Sequence, residues 1–209
     1  MDYARVANDG HYFNICKEQI IRFRDFQQKE DELLEEIRSK SAGPYDFIDL
    51  REERIDAKNQ WLKAGTVVVV FSAMCLEALI FDYGCIHLSK NYIDKYLDNL
   101  TPVGKWVVIP RIITGEGIER GGEAFQLLQD LFRNRNRLVH SQSKQAPTEE
   151  EDLKDHVESR KDNYNEMVPN AMSAIFKTTS AVRDIHPEST RLNMYDPNQE
   201  SNQDFAEYA

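Results

Sequence analysis

The chain has 209 residues, 41% hydrophobic and 30% charged, with a net charge of −10. That length suits one domain with its own buried core, and three scattered cysteines without a CxxC pair exclude a disulfide framework and a structural zinc site. Much of the acidity is local: residues 145–162 hold seven acids against three bases and residues 188–209 five against one, which excludes a generally basic nucleic-acid coat but not a small basic site.

Residues Met1 to Ile15 are polar and lack the apolar core of a secretory signal. The longest apolar stretch, Thr66 to Leu76, meets Glu77 well short of the ~20 residues that cross a bilayer. The expectation is a soluble, cytoplasmic protein with no membrane partner.

Glycine and proline are sparse, and helical apolar spacing dominates. A first helix is expected from about Gly10 to Lys40, where Phe26, Leu33 and Ile37 share a face until Ala42-Gly43-Pro44 breaks it. A second runs from about Asp49 to Ser89. It includes Val67 to Val70, which alone would suit a strand, and Gly65 marks a kink. Residues 99–117, with Trp106 and Pro110, read as a structured connector. A third helix covers about Ile118 to Ser141, and residues 142–148 form a polar loop. Thr148-Glu149-Glu150-Glu151 starts a fourth as a capping box. That helix reaches about Ile185, with Pro169 kinking or splitting it. Residues 188–209 are polar and acidic and read as a disordered tail. The fold class is all-α, an antiparallel bundle of about four main helices in one domain spanning 1–187.

The third helix carries Leu131-Phe132-Arg133-Asn134-Arg135-Asn136-Arg137-Leu138-Val139-His140. On a wheel at ~100° per residue with Leu128 at zero, Phe132, Arg135 and Val139 fall within ~40°. Asn136, His140 and Arg133 lie at about 80°, 120° and 140° and share one flank, while Arg137 points away. An arginine in an apolar stripe must find a carboxylate, carbonyls or water, because its charge cannot be neutralised. Glu77 supplies the carboxylate, since it interrupts the apolar face Val70, Ala73, Met74, Ile80 and Phe81. The two are expected to pair, and losing either to cost about 3 kcal/mol. A purely architectural pair that fixes helix register accounts for the same pattern. From Arg133 to Lys144 there are four bases and no acid. That patch would focus phosphate, or simply favour the helix dipole.

Arg135-Asn136-x-x-x-His140 resembles the signature of the HEPN family of all-α proteins. Leu138-Val139 stands where that family has an apolar pair before its histidine. Phe71 to Ile80 resembles its earlier core helix, and Lys105-Trp106, Pro110 and Gly115 resemble its connector. The resemblance covers about residues 60–145. Arg133, seven residues before His140, competes with Arg135 for the arginine role.

The resemblance implies a metal-independent endoribonuclease without a cofactor. His140 would move a proton, Arg135, with Arg133 as the alternative, would stabilise the charged transition state, and Asn136 would orient the histidine or hold a phosphate oxygen. Glu77 would support the arginine, and Arg137 and Lys144 would contact RNA. It also implies a homodimer with a composite site, and a toxin or defence role with a separate antitoxin protein. The alternative it implies is a non-catalytic module for dimerisation or for RNA or nucleotide binding. No Walker loop and no Gly-Ser plus Asp-x-Asp nucleotidyltransferase pattern occurs. His11, His87, His156 and His186 are dispersed and form no metal triad.

Overall fold

Residues 9–39 and 48–88 place apolar side chains at helical spacing and fold as α1 (Asp9–Ser39) and α2 (Ile48–Leu88). The structure, a computed structural model, describes residues 7–39, 48–140 and 150–209, and of 150–162 only the backbone. The expected break at Ala42-Gly43-Pro44, the loop 142–148 and the capping box from Thr148 lie wholly or partly outside the described residues. All regular structure among the described residues is helical, as the spacing predicts.

The helices α1 and α2 run antiparallel. Late in α1, Glu30 meets Arg54 early in α2 at 2.7 Å, and early in α1 the Cys16 sulfur lies 3.5 Å from Ser72 Oγ. After α2 come a short α3 (Lys90–Tyr92), a π-helical turn (Ile93–Leu97), α4 (Pro102–Thr114), α5 (Glu123–Val139) and α6 (Glu150–Ile185). Central α2 touches α1, α4, α5 and α6. It runs the same way as α6, because Thr66 meets Tyr164 at 2.9 Å and Tyr83 meets His186 at 2.6 Å. One apolar cluster takes Phe13, Val69, Leu76, Trp106, Leu128 and Ile175 from five helices. By length and composition α2 is apolar enough to cross a membrane, although its longest unbroken apolar run is short. In the fold 56% of its most apolar window is buried, so protein covers much of that surface. Cys16, Cys75 and Cys85 are buried free thiols, and burial pushes Cys16 up to about 12.

Two expectations need correction. The connector is the helix α4: Thr101 caps it by accepting from the Gly104 N–H at 3.1 Å, Pro102 occupies its first turn, and Trp106 Nε1 donates to the Leu76 carbonyl at 3.2 Å. The helices α2 and α6 run without a break through Gly65 and Pro169. Gly65 marks a close crossing, where a Cβ would lie 2.9 Å from Tyr164 and Val168 and 3.0 Å from Phe23. Alanine would gain up to ~1 kcal/mol of helix propensity but would overpack at a cost of roughly 1–3 kcal/mol. Gly65→Ala is therefore expected to lower the melting temperature, and an unchanged or raised value in a thermal scan contradicts this crossing.

The second correction concerns residues 188–209, which are ordered. They form two 3₁₀ segments, Thr190–Tyr195 and Glu200–Tyr208, and bury Leu192, Tyr195, Phe205 and Tyr208 in the same core. Each pair is three residues apart, the period that aligns side chains on a 3₁₀ turn. The acidic composition conceals that spacing. Arg191 clamps the segment: it donates to Asp9 and to Asp82, each at 2.6 Å. Burial alone would lower the Arg191 pKa, but the hydrogen bonds to both carboxylates raise it. Tyr195 also donates to Asp9 and packs its ring 5.1 Å from Phe13.

Candidate functional site

The site sits at the end of α5. Gly121-Gly122 delays the start of this helix to Glu123, and Leu128, Leu131 and Phe132 anchor its inner face. The helix stops at Val139, one turn after Arg135. His140 already has φ −109° and ψ 29°, and its backbone N–H donates to the Asn136 carbonyl at 2.9 Å. The wheel position of His140 assumed a helix continuing to Ser141, so it does not describe this side chain. The ring of His140 is exposed and has no hydrogen-bond or ion-pair partner among the described residues.

Arg135 is held from two directions. Its Nη2 lies 3.2 Å from Glu77 Oε2, and its Nη1 donates to Asn136 Oδ1 at 3.0 Å. The guanidinium carbon is 5.9 Å from the Phe132 ring, close enough for a cation–π contact. The expected pair thus forms, but at the core's edge: the Arg135 and Glu77 side chains are 23% and 42% exposed. Solvent screens such a pair, and the stability it carries is about 1 kcal/mol rather than 3. A double-mutant cycle of Glu77→Gln and Arg135→Met in urea denaturation should return that coupling. A coupling of several kcal/mol would show a buried pair instead.

The Asn136 side chain contacts Arg135, not the His140 ring. Arg133 is not brought to the pair. It turns outward, 66% exposed, and bonds Asp130 at 2.5 Å. The i,i+3 spacing of Asp130 and Arg133 signals this partner, which the motif reading passed over. Arg137 is exposed and makes no ion pair among the described residues, and Lys144 lies outside them. Val139, placed in the apolar stripe by the wheel, is 53% exposed beside His140. The last turn therefore offers a fixed guanidinium, an open imidazole, a second cation and an apolar side chain.

Two histidines that look dispersed in the sequence do meet elsewhere. The His87 and His186 rings lie 4.8 Å apart, and burial lowers the His87 pKa. Among the described residues no three His, Cys, Asp or Glu side chains are placed to hold a metal ion. No protein-family model, curated protein or solved structure matches the chain.

Proposed function

We propose that this chain is a HEPN-type endoribonuclease that acts as a homodimer and needs no metal. The observation that carries the reading is the geometry of Arg135: Glu77 and Asn136 fix its guanidinium at a helix end that also presents His140 and Arg137, neither paired among the described residues. The reaction needs a proton acceptor for the 2′-OH and a fixed cation for the phosphate. Histidine and arginine are the residue types that supply them. His140 takes the proton as the 2′-oxygen attacks phosphorus. The bond to the 5′-oxygen breaks, and that oxygen receives a proton from His140 of the partner subunit. A 2′,3′-cyclic phosphate and a 5′-hydroxyl result. Arg135 keeps three of its five N–H donors for the phosphate, and Arg137 supplies a contact to the backbone. Arg133, spent on Asp130, is the weaker candidate for the arginine role.

One histidine and one arginine make a sparse site, and two-fold pairing of the α5 ends doubles it. Exposed Val139 gives that interface an apolar contact. The reading places the protein in the cytoplasm with its RNA. A toxin or defence role adds a separate antitoxin protein, because such an activity must be restrained.

One observation favours the second reading, a non-catalytic module that binds RNA. No described side chain orients the His140 ring, whereas general bases are usually held in one tautomer. Incubating single-stranded RNA with wild type and His140→Ala, both checked as dimers by light scattering, separates the two. Cleavage only by wild type supports the nuclease. Equal RNA binding with no cleavage by either protein supports the module.

A further inference from the structure

A half-open cleft of about 450 Å³ lies between α4 and the turn that leads into α5. Arg111 lines it from α4, and Arg120 from the turn. Both side chains are exposed, and neither has an ion-pair partner among the described residues. In this they differ from Arg54, Arg135 and Arg191, which are all paired.

Gly117 brings the two walls together. A Cβ there would lie 3.3 Å from the Val107 carbonyl oxygen and 3.6 Å from Arg111 Cβ, so the turn rests on α4 without an intervening side chain. The cleft also holds one acid, Glu119, against the two guanidinium groups. Arg111, in the last turn of α4, has an ordinary reason to be basic in that helix's dipole. Arg120 has no such reason, because it precedes α5. The positive end of the α5 dipole adds to the charge of Arg120, and Gly122 caps α5 without a side chain. The cleft thus carries two cations against one acid, which favours an anion there, and the planar fork of arginine matches phosphate oxygens in pairs. The volume is that of a small-molecule site.

We propose that the Arg111–Arg120 cleft binds a phosphate group, carried either by a free nucleotide or by an RNA strand. The site is separate from His140: the 17 residues of α5 put about 25 Å between the two ends of that helix. It does not rest on the ribonuclease reading.

The test is titration of the full chain with pyrophosphate, followed by calorimetry and by the amide resonances of Gly117, Gly121 and Gly122. Wild type should bind saturably. Arg111→Gln and Arg120→Gln should each weaken binding tenfold or more, the loss expected for one charge-assisted contact. Glu119→Gln should tighten it, which damage to the fold would not do. His140→Ala should leave it unchanged. Competition then identifies the source: displacement by ATP alone marks a nucleotide, and displacement by single-stranded RNA marks a strand. No saturable pyrophosphate binding to wild type, or equal binding by the Arg111→Gln/Arg120→Gln double variant, overturns the inference.

Discussion

Arg191→Ala should destabilise the protein by roughly 3–5 kcal/mol, the cost of breaking a buried ion pair from one side. Asp9 is 1% exposed and Asp82 13% exposed, and Arg191 donates to both at 2.6 Å. Removing the guanidinium leaves two poorly hydrated carboxylates facing each other. It also loosens Tyr195, which donates to Asp9 and joins the Phe13 ring to the core. The stability should appear as a lower denaturant midpoint in a urea titration. The same variant should be clipped by protease within residues 188–209, where wild type resists. Arg191→Lys keeps the charge but loses the fork, so it should fall between the two proteins. A wild-type midpoint for Arg191→Ala would mean that the segment is held by apolar packing alone.

His140→Ala should lower RNA cleavage by at least 10²-fold, the usual contribution of a positioned proton-transfer group. Its denaturation curve should match wild type, because the ring is exposed and bonds to no described side chain. Arg135→Ala is the less discriminating variant. It removes the transition-state cation but also strands Glu77 and uncovers Phe132. Arg133→Ala leaves the Glu77–Arg135 pair intact and touches only the Asp130 contact, so it should keep most of the cleavage. A loss with Arg133→Ala equal to that with Arg135→Ala would move the arginine role to Arg133.

Helix type and approximate extent were legible because apolar spacing runs unbroken through α1 and α2. The outer ends observed, Asp9 of α1 and Leu88 of α2, lie within one residue of those expected, and the inner ends border residues outside the described ones. The helix α4 was hidden by Pro102, Gly104 and Pro110, which read as breakers until their positions are known. Pro102 sits in the first turn, where a missing N–H costs nothing. The C-terminal segment was hidden because low hydropathy averages over side chains that recur every third residue. Its anchor to Asp9 spans 182 positions, and no local pattern displays such a contact.

In the site, the Glu77–Arg135 pair was legible because each charge interrupts an apolar face. The degree of burial was not legible, since it depends on how the helix ends meet solvent. The direction of His140 was likewise hidden. It depends on α5 stopping at Val139, and no residue before His140 announces that stop. The Arg111–Arg120 cleft left no motif because its two arginines stand nine positions apart on different elements.

The end groups of the products test the central claim most directly. Single-stranded RNA incubated with the wild-type protein in EDTA should yield fragments ending in a 2′,3′-cyclic phosphate and beginning with a 5′-hydroxyl, and His140→Ala should yield none. Fragments ending in a 3′-hydroxyl, or the same fragments from His140→Ala, would contradict it.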